Sequence, residues 1–469
     1  MNAINLCRRA PRWRDLVDLA LVVLGAPVLL FPTALPAATL LVLTVWGVWW
    51  AACLVVDRKG TIPVTPFNAA LLFWCIAVAV GVMVTAFPEL TLSKATGLLL
   101  GLAAWRLLAV VVHDRRRLGW AVAGYVLLGL SFAGIGFVTV RWGSKVPVLS
   151  DVVAWLPERL LVLPEGPESG VNANQLAGVL VTYLPMGVAA LVALVARRSP
   201  STATGGGQRR PWYRFALWAS AGALTIVAGG GLLLTQSRSG WVAGAVAVAT
   251  LIWTTLVTTG RPAARRAAVG LVCVLAVVGA AVLWGIAQQT ELDLWQGGPP
   301  VATDVTGPIS LSGRVEIWSR ALYAIQDFPF TGCGLGTFRR IVPLLYPLFT
   351  ISPTIDIAHA HNIFLQVAVD VGIPGLVAYL ALLGVATKLA WQLAERDGRD
   401  RPLALGILSG IVGLHVYGLT DALAPGSKPG LIFWVALGLL TANWRISEDE
   451  RRAIESGIAT DSPSALPDA

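Results

Sequence analysis

Twelve long apolar stretches constrain the fold of this chain more than any other feature of its sequence. Hydrophobic residues make up 56% of the 469 residues, and charged residues make up only 13%. Soluble domains contain about 25% charged residues, so this chain has too few polar atoms to cover a water-facing surface. These proportions argue against a soluble enzyme, a disordered protein and a nucleic-acid-binding protein. They favour a polytopic helical membrane protein.

The stretches have the length and the pattern of membrane-spanning helices. A bilayer core accepts about 20 apolar residues per helix, and the stretches do not show the alternation of β-strands. We predict spans at residues 15–31, 36–55, 66–86, 90–112, 119–140, 174–196, 213–233, 240–259, 267–288, 363–391, 403–422 and 429–443. Residues 15–443 then form the transmembrane domain, and one large outer loop, residues 289–362, separates helices 9 and 10.

The basic residues predict the orientation of these spans. The net charge is +9, and Lys and Arg accumulate in the cytoplasmic loops of membrane proteins. With the N-terminal segment 1–14 inside, 23 of the 35 Lys and Arg residues fall in cytoplasmic segments. We therefore predict that both termini, including the tail 444–469, are cytoplasmic. The first span is expected to be an uncleaved anchor, and the positive charge does not indicate a nucleic-acid partner.

The large outer loop contains a predicted amphipathic helix. Within Ser312–Phe328, apolar residues recur at helical spacing, and Arg314, Glu316 and Arg320 lie on the opposite face. This pattern is typical of a helix on a membrane surface. Because a loop of this length is uncommon without a role, we expect function here, with a simple lid as the alternative.

A histidine pair precedes span ten. The chain has only four histidines, and two of them are His359 and His361. Their spacing in extended backbone would suit a metal site, but the sequence nearby adds only Asp356, and no outer DxD pair occurs. We predict no metal and favour proton transfer near neutral pH. A helix-end histidine bonded to backbone is the alternative.

Cationic residues gather at the outer ends of the predicted spans. Arg238 lies in the short break between spans seven and eight, where an unpaired charge is costly unless it snorkels to the interface. Lys94 lies about one turn inside span four, and Asp421 and Lys428 close the turn between spans eleven and twelve. With Arg314, these residues predict a site for an anionic, lipid-attached substrate, because guanidinium groups bind phosphate oxygens bidentately.

Several motifs resemble the O-antigen ligase and Wzy-type polymerase superfamily. They are GVNANQLAG at 170–178, TQSRSGW at 235–241, SGRVEIWSRAL at 312–322, DFPFTGCGLGTF at 327–338 and HAHNIFLQVAVDVGIPGL at 359–376. The ligase motif is His, a polar residue, nine residues, Gly, two residues and a further Gly, Thr or Tyr. It is matched by His361, Asn362, Gly372 and Gly375. Ala173 stands where the family often has Pro. The resemblance covers about residues 170–440.

The resemblance implies a GT-C-like fold and a metal-independent glycosyltransferase at the outer face of the bacterial inner membrane. Such enzymes move a glycan from undecaprenyl diphosphate to an acceptor hydroxyl and need no cofactor. By resemblance, His361 would orient or deprotonate the acceptor, and Arg238 and Arg314 would hold the diphosphate. Lys94 is a further donor-binding candidate. The supporting candidates are His359, Asn362, Asn174, Glu316, Asp421 and Lys428.

The acceptor is left open by the resemblance. Ligases use lipid A–core, polymerases use another carrier-linked repeat, and O-oligosaccharyltransferases use a protein Ser or Thr; the histidine motif slightly favours a ligase. A twelve-helix transporter is the alternative from another class, and residues 57–60 faintly resemble a transporter loop motif. Transporters place charges near the midplane, whereas this chain gathers them at one surface.

Overall fold

The computed structural model describes residues 13–56, 62–140, 142–143, 149–156, 160–161, 172–196, 211–274, 311–349, 351, 355–396 and 398–456. In these residues the regular structure is helical, and no β-strand occurs. The helices are α1 (Trp13–Leu30), α2 (Pro36–Val56), α3 (Asn68–Met83), α4 (Pro88–Val111), α5 (Arg115–Thr139), α6 (Ser150–Ala154), α7 (Ala173–Ala196), α8 (Pro211–Leu234), α9 (Arg238–Thr258), α10 (262–274), α11 (Leu311–Asp327), α12 (Phe338–Leu345), α13 (Ile363–Arg396), α14 (Arg401–Tyr417) and α15 (Leu431–Glu455).

The described helices confirm an all-α polytopic membrane protein. Eight are long and apolar enough to cross a bilayer, namely α2, α4, α5, α7, α8, α9, α13 and α15, the last together with the 3-10 turn before it. Helices α3 and α14 are shorter and also apolar. The count of twelve stays a prediction, because the ninth predicted span is described only as far as residue 274.

The predicted amphipathic helix is present as α11, within residues that the sequence assigns to the large loop. The last helix extends beyond the last predicted span. Helix α15 continues to Glu455, twelve residues past the end of the last predicted span. Arg451 bonds to Glu448 and Glu455 one turn away on either side, and such pairs support an exposed helix.

Close helix contacts at small residues build the core around α7, α14 and α15. Without a hydrophobic driving force between helices in lipid, association depends on close backbone approach. A methyl group built on Gly410 of α14 would lie 2.4 Å from the carbonyl oxygen of Thr182 in α7. One built on Gly101 of α4 would lie 2.2 Å from the Trp434 ring of α15. Glycine at these positions therefore allows the helices to pack this closely.

Helix α13 breaks at Gly372, where φ is 73° and ψ is 178°. The loop before α12 supplies replacement backbone hydrogen bonds at the break. The amide of Cys333 donates to the carbonyl of Val369, and the amide of Ile373 donates to the carbonyl of Pro329, both at 2.7 Å. A non-helical segment is tolerated at membrane depth when protein groups satisfy its backbone in this way.

The break turns the start of α13 onto the end of α14. At one end of the pair, Arg401 donates to the carbonyl of Ala394 at 2.9 Å, and at the other the amide of Ile363 donates to the carbonyl of Gly418 at 2.7 Å. At ~1.5 Å per residue, α14 spans about 26 Å between these points, whereas a straight α13 would span about 47 Å. The first turns of α13 must therefore bend away from the rest, which brings the histidine segment to the end of α14.

Candidate functional site

Two histidines and one aspartate form the centre of the candidate site. His359 Nε2 and His361 Nδ1 each lie 3.6 Å from the same oxygen of Asp421, Oδ1. Asp421 is buried, whereas the histidine side chains are 18% and 17% exposed. The structure thus brings together three of the predicted site residues from two distant segments.

Asn362 fixes the segment that carries both histidines. Its Oδ1 accepts hydrogen bonds from the amides of Phe364 and Leu365 at 2.9 Å and 3.1 Å, which caps the N-terminus of α13. Its Nδ2 donates to the carbonyl of Leu419 at 3.1 Å. Asn362 therefore ties the histidine segment to the chain beside Asp421.

His361 has an unusual backbone conformation, with φ of 49°. Positive φ is uncommon for residues other than glycine, and such strain clusters at functional sites because surrounding contacts must maintain it. Here the indole of Trp318 in α11 donates to the carbonyl of His361 at 3.4 Å. The amphipathic helix of the outer loop is thus packed directly against the candidate site.

Hydrogen bonds distinguish the two histidines. The amide of His361 donates to Nδ1 of His359 at 3.2 Å, so a neutral His359 carries its proton on Nε2, which faces Asp421. The buried Nδ1 of His361 also faces Asp421, and a small rotation of the ring would close this 3.6 Å contact to a hydrogen bond. Nε2 of His361 makes no hydrogen bond to any described residue. His361 is therefore the histidine with a nitrogen available to a substrate.

The protonation states follow from burial and from the shared carboxylate. Burial is the main cause that lowers the pKa of His359 to about 3, and the negative charge of Asp421 opposes this shift. Burial alone would raise the pKa of Asp421, but its contact with His361 and the positive charge of either protonated histidine hold that pKa below its usual range. At neutral pH the centre therefore contains a neutral His359 and an ionised Asp421.

Tyr417 connects the centre to helix α7. Its hydroxyl lies 2.9 Å from Oδ2 of Asp421 and 2.6 Å from the carbonyl oxygen of Asn174. The amide of Asn174 in turn donates to Oδ1 of Asn172 at 2.8 Å. Asn174 thus reaches the centre through its backbone carbonyl. This contact forms although Ala173 stands where the family often has Pro. Tyr417 has no role in the sequence-based prediction, because its contact with Asn174 joins residues 243 positions apart.

The two predicted phosphate-binding arginines lie at the same end of the helix bundle. Arg314 is close enough to act electrostatically on Tyr417, and its buried Nε has no hydrogen-bond partner among the described residues. Arg238 is exposed at the first turn of α9. Two residues on, Gly240 packs against Ala177, one turn beyond Asn174. No described contact joins Arg238 to the histidines.

Three other predicted residues have protein partners. Lys428 Nζ lies 4.0 Å from the centre of the Phe31 ring. Glu316 accepts a hydrogen bond from the amide of Phe349 at 2.5 Å and faces Arg320 at 3.6 Å. Lys94 lies near Asp370, beside a small cavity between α4 and α13. These contacts stabilise the framework, and the supporting and donor-binding roles of the three residues stay predictions.

Asp356, the carboxylate nearest to the histidines in the sequence, does not face them in the structure. Asp356 instead pairs with Arg339, whose Nε donates to it at 3.1 Å. The carboxylate in place is Asp421, and the donor atoms of His359, His361 and Asp421 all lie within 4.8 Å of one another. That spacing would admit a metal ion, but the proton on His359 Nε2 would have to be removed first, and the amide bond to Nδ1 opposes this change.

Comparison with known proteins shows which family this chain is similar to. A family model described as O-antigen ligase matches residues 223–380. An O-antigen ligase of Pseudomonas aeruginosa is 31% identical over 136 residues, which are 28% of this chain and 31% of that protein. The exopolysaccharide production protein ExoQ of Rhizobium meliloti is 25% identical over 234 residues, 48% of this chain and 51% of that protein.

The matches to both curated relatives cover less than two thirds of those proteins' lengths. The region matched by the family model runs from α8 to the middle of α13 and includes Arg238, Arg314 and the histidine pair. The resemblance predicted from the motifs is thereby confirmed: residues 223–380 match the O-antigen ligase family, and two curated relatives support the similarity to the O-antigen ligase and Wzy-type superfamily.

Proposed function

We propose that this protein is a metal-independent, inverting glycosyltransferase that moves a glycan from undecaprenyl diphosphate to an acceptor hydroxyl. The observation that carries the proposal is the pairing of His361 with the buried Asp421, which leaves Nε2 of His361 open. His361 lies in the region that matches the O-antigen ligase family model, and cations gather at the same end of the bundle. The family match also favours glycan transfer over transport.

The proposed reaction is a displacement at the anomeric carbon of the donor sugar. Nε2 of His361 accepts the proton of the acceptor hydroxyl as its oxygen bonds to the anomeric carbon. The bond from that carbon to the diphosphate oxygen breaks with its electron pair, and undecaprenyl diphosphate leaves. Asp421 stabilises the imidazolium that forms on His361, in the way that a carboxylate orients and stabilises a catalytic histidine. Attack opposite the leaving group inverts the anomeric configuration.

In this mechanism, cationic side chains neutralise the diphosphate, as a metal ion does in other transferases. Arg238 and Arg314 bind the diphosphate and offset the negative charge that develops as it leaves. The unpartnered Nε of Arg314 supports this assignment, because a buried polar group without a partner is unfavourable until it is hydrogen-bonded. Because a diphosphate is already a good leaving group, no acid is required to protonate it.

The proposed site opens to the outer face of the bacterial inner membrane, with both chain termini in the cytoplasm. The distribution of Lys and Arg supports this orientation. It places the loop 289–362 in the periplasm, and the polyprenyl chain of the donor among the membrane lipids. The transmembrane domain is proposed to cover residues 15–443, with the tail 444–469 cytoplasmic.

For the acceptor we propose lipid A–core, as in O-antigen ligases, on the strength of the family match and the histidine motif. A Wzy-type polymerase is the second candidate, because one relative is a protein of exopolysaccharide production. Transfer to a protein Ser or Thr is the third. Deletion in the native organism separates them: a ligase defect leaves carrier-linked polymer without capped lipopolysaccharide, and a polymerase defect leaves single repeats.

The proposed chemistry is tested with purified protein and an undecaprenyl-diphosphate-linked glycan. We expect transfer to the acceptor, with inversion, at the same rate with and without EDTA. A complete and reversible requirement for a divalent ion would contradict the metal-free mechanism and indicate that His359, His361 and Asp421 bind a metal. Absence of transfer to any of the three acceptor classes would overturn the proposed function.

A further inference from the structure

Gln366 connects the histidine segment to the interior of α13. Its Oε1 accepts a hydrogen bond from the amide of Ala360 at 2.8 Å, and its Nε2 donates to Oδ1 of Asp370 at 2.9 Å. Gln366 is 2% exposed and Asp370 is 5% exposed. The two residues are one turn apart, so they lie on the same face of the bent first part of α13.

Asp370 extends this connection to the loop before α12. Its Oδ1 also accepts a hydrogen bond from the amide of Gly336 at 3.0 Å. Gly336 has φ of 72°, and a methyl group built on it would lie 2.7 Å from Cγ of Lys94. Lys94 and Asp370 line the same small cavity, and their opposite charges attract.

The Ala360 amide is one of three anchors that hold the turn containing His361. The others are the bond from the amide of His361 to the His359 ring and the bond from Trp318 to the carbonyl of His361. Because Ala360 is fully buried, its amide has no access to water if the Gln366 side chain is removed. The strained φ of His361 is then no longer maintained from both sides.

We propose that Gln366 and Asp370 are positioning residues that hold His361 in its reactive geometry, with Lys94 acting through Asp370 rather than on the donor. This inference rests on the proposed function, in which His361 accepts the acceptor proton. It accounts for three polar residues that α4 and α13 place inside an apolar bundle, where such groups are otherwise costly. A displacement of about 1 Å in a catalytic group can reduce turnover about 100-fold.

The first test is Gln366→Met, which keeps the length of the side chain and removes both hydrogen bonds. We expect kcat to fall about 10-fold to 100-fold, with the KM for the donor within about twofold of wild type. The matched control is Gln326→Met, on the exposed face of α11, with unchanged turnover. Unchanged kcat in Gln366→Met, or a rise in donor KM that accounts for the loss, would overturn the proposal.

A reciprocal exchange guards against a variant that merely misfolds. Gln366→Glu places a second carboxylate against Asp370, so we expect low kcat. Adding Asp370→Asn restores one amide and one carboxylate to the pair, and the amide of Ala360 keeps its acceptor. Turnover of the double variant should recover to within about threefold of wild type. A double variant no better than Gln366→Glu alone would contradict the proposed pairing.

Single and double variants also show whether Lys94 acts through Asp370 or binds the diphosphate. Lys94→Met leaves the buried charge of Asp370 without its partner, and Lys94→Met with Asp370→Asn removes both charges. If Lys94 acts through Asp370, the double variant has higher turnover than Lys94→Met, with donor KM unchanged in both. If Lys94 binds the diphosphate, both variants show the same raised donor KM, and this part of the proposal is overturned.

Hydrogen exchange measured on the intact protein in detergent keeps this proposal distinct from the proposed function. The Ala360 amide should exchange at least tenfold faster in Gln366→Met than in wild type, whether or not the chain transfers glycans. Unchanged exchange would overturn the positioning role even if turnover falls. Faster exchange in a protein whose wild type shows no transfer would instead overturn the proposed function alone.

Discussion

His361 Nδ1 lies 3.6 Å from Oδ1 of Asp421, although sixty residues separate the two in the chain. The contact is possible because the break at Gly372 turns the start of α13 onto the end of α14. A buried carboxylate at this position favours the tautomer of His361 with its proton on Nδ1. Nε2 then has the free electron pair that a general base requires.

His361→Ala should abolish transfer while the protein still folds and binds donor. A positioned general base contributes roughly 10²-fold to 10⁴-fold to the rate, so we expect a loss in that range. Turnover in single-turnover assays and donor binding are measured separately. His359→Ala is the comparison: we expect a smaller loss, because both nitrogens of His359 face protein groups. A larger loss in His359→Ala would reverse the assignment of the base.

Asp421→Asn should reduce kcat by about 10²-fold or more while donor binding is kept. The amide carries no charge to stabilise the imidazolium and can present its N–H to His361, which favours the wrong tautomer. The measurement is kcat against pH, with Asp356→Asn as the control because Asp356 pairs with Arg339 away from the centre. Equal kcat in Asp421→Asn and wild type would show that the aspartate–histidine contact has no part in the reaction.

Arg238→Ala and Arg314→Ala should each weaken donor binding by about tenfold or more. A hydrogen bond to a charged group contributes about 1.5–3 kcal/mol, and 1.4 kcal/mol corresponds to a factor of ten. Competition by an unlabelled lipid diphosphate measures the affinity. Arg340→Ala, at an exposed position on α12, is the matched control. If the two site variants bind donor as tightly as Arg340→Ala does, the phosphate-binding role is wrong.

Acidification should destabilise the protein between about pH 6.5 and pH 3, through His359. Burial lowers the pKa of His359 to about 3, so the unfolded chain takes up a proton in this window before the folded protein does. The resulting stability is complete above the unfolded pKa and falls by about 1.4 kcal/mol per pH unit, or about 2 kcal/mol by pH 5. Thermal unfolding in detergent at pH 7 and pH 5 measures this loss.

His359→Gln is the control for this pH dependence. The amide side chain can accept from the amide of His361 and donate to Asp421 as the ring does, but it does not titrate. The difference in unfolding temperature between pH 7 and pH 5 should be smaller in this variant. An identical difference would assign the acid sensitivity to other groups. The lowered pKa of Asp421 adds a loss only below about pH 4, so it leaves this comparison unaffected.

The sequence by itself determined the fold class, because apolar runs of about 20 residues have no stable alternative to membrane helices. It also selected His361 and the two arginines, since their motifs are local. It identified Asp356 as the carboxylate nearest to the histidines along the chain and Asp421 as a supporting candidate, but proximity in sequence did not show which of the two faces them. It placed the end of the last membrane span at residue 443 and did not show that α15 continues to Glu455, because hydropathy does not register the ion pairs beyond the span.

Only the tertiary structure decided which groups meet at the site. Tyr417 and Asp421 lie at the end of α14, and the carbonyl of Asn174 belongs to α7, so their contacts depend on how α7 and α14 pack. The distinction between His359 and His361 depends on one backbone hydrogen bond and a positive φ, which residue types do not specify. Spacing in the sequence shows which residues are neighbours along one helix. A catalytic centre depends on distances between helices, and helix packing sets those distances.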